Sequence, residues 1–220
     1  MIKYIIFDFD DTLSDFQGIK AQAKEKITPY LEAQGIDTAD YWEHYEAIFE
    51  PLFARYVNRE LTVTEYRLMR FTHHGITTTE AARYNEIYLD TVSCAKLFDD
   101  VVPVLTSLQK RGYPLYVLTN GPAVQRQKIE ACAVGSLFEK LFISSELGVG
   151  KPDRAVYDYV IAELNALPEE ILMLGDSCEN DCVAAERAGL MAVQINRRNK
   201  SIRHFHRQID SLYAIDQYLS

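Results

Sequence analysis

Asp8, Asp10 and Asp11 stand within four positions in Asp8-Phe9-Asp10-Asp11-Thr12. Such carboxylates repel one another unless a cation or a proton neutralises part of their charge. One reading is an acidic turn in which Asp8 or Asp10 caps a helix. Two later groups favour chemistry instead. Thr119-Asn120-Gly121 offers a hydroxyl and backbone N–H donors, and Gly175-Asp176-Ser177, followed by Asp181, offers further carboxylates. Gathered at one rim, these oxygens suit Mg2+, which keeps several waters and commonly shares its coordination with a phosphate. Lys151 precedes Pro152, and a proline at the first helical position would leave this lysine near a helix N-terminus, where anions bind. Taken alone, Lys151 also reads as an exposed loop charge. The stretch Gly148-Val149-Gly150-Lys151 is not a nucleoside-triphosphate loop, because that pattern needs glycine where Ser145 stands and Ser or Thr where Pro152 stands.

These groups need elements to hold them. Ile2–Phe7 is a short apolar run ended by acids, which predicts a buried strand with functional groups at its C-terminal end. The pattern returns at Tyr113–Leu118, Leu141–Ile143, Ile171–Leu174 and Met191–Ile195, with helix-like stretches at Val101–Lys110, Ala123–Cys132, Ala155–Leu164 and Asn180–Ala188. Strand-helix alternation implies an α/β fold with a parallel sheet covered by helices on both faces, and ligands bind beyond the strand C-termini. From about Phe16 to Lys96 this rhythm stops. Gln17–Ala33, Thr38–Tyr56, Thr64–His73 and a stretch from Thr77 or Thr78 to Val92 read as helices, the last with Glu80 in its first turn. The division expected is a core of residues 1–15 and 97–220, interrupted by an all-helical subdomain over 16–96.

The 220 residues are 48% hydrophobic and 25% charged, with ten glycines and seven prolines, a globular balance rather than a low-complexity one. At roughly 150 residues per domain this length fits one domain with a large insertion. Lysine and arginine number 23 against 32 acids, a net charge of −9, so no overall basic field would draw nucleic acid or an acidic membrane. No apolar run approaches the ~20 residues that span a bilayer, and Asp8 interrupts any signal-peptide core. The chain is expected to be cytoplasmic, with neither nucleic acid nor membrane as a partner. Cys94, Cys132, Cys178 and Cys182 are too sparse for a disulfide framework, and none of them completes a zinc set. His73-His74 and His204-Phe205-His206 read as surface or loop histidines. The basic run Arg197-Arg198-Asn199-Lys200-Ser201-Ile202-Arg203 reads as a solvated connection.

Asp8-x-Asp10-x-Thr12, Thr119-Asn120-Gly121, Lys151-Pro152 and Gly175-Asp176-Ser177-x-x-x-Asp181 occur in this order, each after an expected strand. The set resembles the haloacid dehalogenase-like (HAD) superfamily of phosphohydrolases over the whole chain. That resemblance implies a Rossmann-like parallel core, with 16–96 as a helical C1 cap. It implies Asp8 as nucleophile forming an aspartyl-phosphate, and Asp10 as the acid that protonates the leaving oxygen and then the base that activates water. Asp8, the backbone carbonyl of Asp10 and Asp176 would hold Mg2+, with Asp181 supporting its waters. Thr119, the backbone of Asn120 and Gly121, and Lys151 would neutralise the phosphoryl oxygens. Thr12 would orient the loop carrying Asp10.

Haloacid dehalogenases lack an aspartate at the position of Asp10, and transport ATPases place threonine there, so Asp10 points to phosphate esters. Phosphonatases need a cap lysine, for which Lys20, Lys24 and Lys26 are available, but Asp10 again argues against that chemistry. The segments Asp11-Thr12-Leu13-Ser14-Asp15-Phe16, Tyr56-Val57-Asn58-Arg59-Glu60 and Tyr66-Arg67-Leu68-Met69-Arg70-Phe71 look like those of pyrimidine 5′-nucleotidases that accept noncanonical nucleotides. A small phosphorylated metabolite, first a nucleoside 5′-monophosphate, is therefore the expected substrate. Phosphoglycolate or sugar-phosphate hydrolysis, a β-phosphoglucomutase-like transfer, and a receiver-like signalling module are the alternatives. The second acid cluster and the insertion fit the last poorly. Phe16, Tyr41, Trp42, Tyr45, Phe49, Tyr56, Tyr66 and Phe71 could stack a base, but a helical bundle needs aromatics for its own core. Arg67 and Arg70 read as solvated helix charges or as ligand contacts.

Overall fold

The computed structural model describes residues 1–93, 95–198 and 204–219, so Cys94 and residues 199–203 of the basic run lie outside the described residues. Two compact units divide the chain, one made of Met1–Asp15 with Lys96–Ser220 and the other of Phe16–Ala95. In the first unit β1 (Tyr4–Phe7), α5 (Val101–Lys110), β2 (Leu115–Thr119), α6 (Val124–Ala131), β3 (Lys140–Ile143), α7 (Ser144–Leu147), α8 (Arg154–Leu164), β4 (Ile171–Gly175), α9 (Ala184–Arg187), β5 (Met191–Ile195) and β6 (Gln208–Ile209) follow in order. The helices of the second unit are α1 (Phe16–Glu32), α2 (Thr38–Val57), α3 (Val63–Met69) and α4 (Thr78–Val92). All six strands are parallel, in the order β3-β2-β1-β4-β5-β6.

Alternation along β1 builds two cores. Ile5 and Phe7 pack with α5 and Ile129, whereas Ile6 faces Val156, Tyr157 and Val160 of α8. The register sets Phe7 beside Val117 on one side and Leu174 on the other, so the residues just after each strand reach a common rim. Helices cover both faces, the expected Rossmann-like arrangement. The helix expected over 180–188 differs: a wide π-type turn spans Cys178–Val183 before the short α9. β6, only two residues long, carries too little periodicity to read from sequence.

In the helical unit Tyr41, Tyr45, Phe49, Phe71, Tyr84 and Tyr88 are buried together with Ile19, Ile27 and Leu31, which gives most of its aromatics a packing role. Thr62 with Glu65, and Thr77 with Glu80, form capping boxes at the starts of α3 and α4. α3 ends at Met69, earlier than the expected His73, and Arg70 caps it. Arg70 is not a solvated charge: it is 2% exposed, donates to Asn85 at 3.0 Å and lies over the rings of Tyr66 and Tyr88. Lys20 and Lys24 pair with Glu46, and Lys26 donates to Thr91, so each has a partner within the bundle. No helix among the described residues is long and apolar enough to cross a membrane.

The Arg197 side chain, 7% exposed, is likewise not a solvated charge. Its guanidinium pairs with Asp100 at 2.6 Å and donates twice to the Thr12 carbonyl, at 3.0 and 2.8 Å. Burial opposes ionisation of Asp100, but Arg197, the Ser211 hydroxyl and the Leu212 N–H outweigh it and hold this carboxyl below its ordinary range. Asp100→Asn leaves a buried guanidinium without its charge partner, and urea unfolding at neutral pH should show a loss of about 3 kcal/mol. Because the folded-state pKa is lowered, the wild-type advantage is full above the unfolded value of about 3.9 and shrinks as pH falls through the folded one. An unchanged urea midpoint for the variant would show that the pair contributes nothing to stability.

Candidate active site

β1 ends at Phe7, and Asp8 follows with its N–H bonded to the Leu174 carbonyl at 2.8 Å. The chain then folds back: Leu13 and Ser14 N–H groups both donate to the Phe9 carbonyl at 2.9 Å, and Asp11 takes the left-handed region at φ 56°. This turn buries Phe9 and places Asp8 and Asp10 at the same rim. Thr12 holds the loop through its carbonyl on Arg197 rather than through its hydroxyl, which has no hydrogen-bond partner.

Lys151 joins the two ends of the sequence. Its Nζ lies 2.8 Å from Asp8 Oδ1 and 2.6 Å from Asp181 Oδ1, and it is 4% exposed. Burial works against its charge, but Asp181 and Asp8 hold it protonated well above the ordinary lysine range. The Asn120 side chain clamps its backbone, accepting from Lys151 N at 2.9 Å and donating to Lys151 O at 2.6 Å. A Cβ at Gly150 would come within 2.6 Å of Asn120 Oδ1, so the clamp requires glycine there. Pro152 does not begin the next helix. Asp153 is the N-cap of α8, accepting from Ala155 N at 2.9 Å, and the Lys151-Pro152 peptide is cis. The lysine is therefore oriented by Asn120 and two carboxylates, not by a helix N-terminus.

Gly175 closes β4 and gives room for Asp181, whose carboxylate a Cβ would overlap. Asp181 Oδ2 in turn accepts from Ser177 N at 2.9 Å. Gln194, opposite Gly175 on β5, donates to the Asp176 carbonyl at 3.0 Å. Asp8, Asp176 and Asp181 each present a carboxylate oxygen within 4.8 Å of the others. Burial, opposed in part by Lys151 and reinforced by the Asp181 charge, raises Asp8 to about 7. Burial and the charges of Asp8 and Asp181 also raise Asp176 well above its usual value. Three crowded carboxylates against one ammonium retain excess negative charge, and hard oxygen donors of this kind fit a divalent cation such as Mg2+.

The second expected oxygen-binding group is reached only in part. Thr119 lies at the rim, 1% exposed, but the Gly121 N–H is already bonded to Ser144 Oγ at 2.9 Å. Two residues outside the sequence motifs join the site from α6. Gln125 Nε2 donates to Asp10 Oδ2 at 2.8 Å, and Lys128 Nζ lies 2.5 Å from Asp10 Oδ1. The histidines stand apart: His206 pairs with Glu186, and His74 with Asp40 beside His73, which burial and the neighbouring His44 and His74 lower to about 4. Cys132, Cys178 and Cys182 are not disulfide-bonded.

The family model described as haloacid dehalogenase-like hydrolase matches residues 2–189. Pyrimidine 5′-nucleotidase YjjG of Escherichia coli K12 is 27% identical over 202 residues, spanning 90% of this chain and 87% of that protein. Glyceraldehyde 3-phosphate phosphatase of Methanopyrus kandleri is 27% identical over 198 residues, 90% and 85% of the two chains. Among solved structures, HAD-hydrolase YfnB of Bacillus subtilis, bound to magnesium, superposes with a TM-score of 0.80 at 25% identity, covering 99% of this chain and 98% of that one.

Proposed function

The chain belongs to the haloacid dehalogenase-like hydrolase family as a phosphoric monoester hydrolase, and we propose that it is Mg2+-dependent and acts first on nucleoside 5′-monophosphates. The observation that carries this reading is the meeting of the Asp8, Asp176 and Asp181 carboxylates, two of them paired with Lys151. In the first half-reaction an Asp8 carboxylate oxygen bonds to phosphorus as the ester P–O bond breaks, and Asp10 gives its proton to the leaving oxygen. In the second, Asp10 takes a proton from water, whose oxygen bonds to phosphorus as the acyl-phosphate P–O bond breaks. Inorganic phosphate leaves and both carboxyls return to their starting state. Lys151 and the Thr119 hydroxyl neutralise and orient the phosphoryl oxygens throughout.

Asp8, the Asp10 carbonyl and Asp176 would hold the metal ion, with Asp181 in support. When bound, it supplies positive charge for the phosphoryl oxygens and the crowded carboxylates. Removal of divalent ions with a chelator should abolish phosphate release, and added Mg2+ should restore it; full turnover after removal would overturn the metal requirement. The same ion should stabilise the folded chain, by about 2.7 kcal/mol at a concentration 100 times its Kd, read as a rise in Tm.

The nucleotide preference rests on the likeness to YjjG and on the resemblance of the helical segments to those of pyrimidine 5′-nucleotidases. Similarity of equal strength to a glyceraldehyde 3-phosphate phosphatase supports a second reading, hydrolysis of a small sugar phosphate. Phosphate release across nucleoside monophosphates, glyceraldehyde 3-phosphate, sugar phosphates and phosphoglycolate, with and without Mg2+, decides between them. The first reading predicts the highest kcat/KM on a nucleoside 5′-monophosphate. A higher value on glyceraldehyde 3-phosphate would replace it with the second.

A further inference from the structure

The first two turns of α6 carry a buried polar pair that the reaction scheme above does not use. Gln125 is 3% exposed and Lys128 2% exposed, and at three-residue spacing they share one helix face. Both reach the Asp10 carboxyl. Oδ1 accepts from Lys128 Nζ at 2.5 Å and from Ser14 Oγ at 3.1 Å, while Oδ2 accepts from Gln125 Nε2 at 2.8 Å. The same Nε2 lies 3.1 Å from Thr119 Oγ1 and 3.4 Å from the Asn120 carbonyl oxygen. The Asn120 carbonyl oxygen can only accept, as can the Asp10 carboxyl when ionised, which fixes the amide orientation.

The amide has two hydrogens, and its two shorter contacts account for them. Thr119 Oγ1 then accepts from Gln125, which directs the threonine's own hydrogen elsewhere, as a phosphoryl-binding donor requires. Gly121 makes this approach possible: a Cβ there would come within 2.7 Å of Gln125 Cγ. The glycine after β2 thus serves Gln125 rather than offering its own N–H, which is bonded to Ser144.

From this geometry we infer that Gln125 and Lys128 are positioning residues: they fix the Asp10 carboxyl for proton delivery to the leaving group, and Gln125 ties that acid to the Thr119 hydroxyl. The inference rests on the reading of Asp10 as the acid. Buried lysine and amide donors locking a carboxylate from two sides restrict its rotation, and proton transfer depends on such placement.

The test compares kcat/KM for two esters on the same preparations. One is the alkyl phosphate hydrolysed fastest, whose leaving alkoxide needs a proton, and the other is p-nitrophenyl phosphate, whose leaving phenolate needs none. For Lys128→Met and Gln125→Leu the alkyl-to-aryl ratio is expected to fall about 10-fold, a part of the 10²–10⁴ that a general acid supplies. Lys128→Arg should recover part of it. Loss of folded enzyme lowers both rates alike and cancels from the ratio. Asp10→Asn, in the same series, should lower the ratio further. If it does so while Lys128→Met and Gln125→Leu depress both esters in parallel, the positioning role is overturned and Asp10 keeps its place. If Asp10→Asn leaves the ratio unchanged, both assignments are overturned.

Discussion

Asp8→Asn is expected to lower kcat for phosphomonoester hydrolysis by roughly 10⁴-fold or more while leaving the fold intact. The amide has the carboxylate's shape but cannot attack phosphorus. Its effect on stability should be small, because Asp8 sits in a cluster with excess negative charge, where burial and Asp181 already push its carboxyl toward the neutral form. Lys151 retains Asp181 as a partner at 2.6 Å after the change. Without divalent ion the variant should therefore match or slightly exceed the wild-type Tm. A variant that keeps most of its turnover would remove Asp8 from the nucleophile's role, and one that unfolds would overturn the expected stability.

Lys151→Met is expected to damage both rate and stability. Its ammonium is the one cation bonded to Asp8 and Asp181 among the described residues, and both acids are buried. Removing one member of such a buried network costs about 3–5 kcal/mol. The loss of a positive donor to the transferring phosphoryl group should lower kcat by about 10²–10³-fold. The two effects separate on titration with Mg2+. Added cation neutralises the orphaned carboxylates and should recover part of the lost Tm, whereas the rate should stay low because the ion does not replace a donor at the position of Nζ. A variant as stable and as fast as the wild type would show Lys151 to be a bystander.

The strand-end acids were legible because each follows an apolar run whose shortness suits a buried strand rather than a helix. Parallel pairing then brings Asp8 and Asp176 to one rim from opposite parts of the chain. Their distance in sequence is no obstacle, since β1 and β4 are neighbours in register. Gln125 and Lys128 were not legible. They lie in a helix whose other positions include Arg126, Gln127 and Glu130, and periodicity alone does not say which polar residues of such a helix turn inward. Gly121 held the one signal, a glycine within helical reach of Gln125, and its purpose emerges only from the close approach of the two.

Arg197 and Arg70 were misread for a related reason. Local sequence places Arg197 in a basic run, yet its partner Asp100 lies 97 positions earlier, beyond any local pattern. Arg70 meets aromatic faces and an amide rather than an acid, so no charge pattern marks it. Pro152 is a third case. It satisfied the rule for a helix start, but Asp153 is the better cap and moved that start two residues on, leaving Lys151 to be held by Asn120.

The central claim, phosphoryl transfer to Asp8, is tested most directly by trapping the acyl phosphate. Enzyme turning over its best substrate with Mg2+ would be quenched and treated with borohydride, which reduces an aspartyl-phosphate to homoserine, and the site would be located by peptide mass spectrometry. Substrate-dependent conversion of residue 8 to homoserine, absent from Asp8→Asn and without Mg2+, is the predicted result. Conversion at another carboxylate, with residue 8 recovered unchanged from enzyme that is fully active, would contradict it.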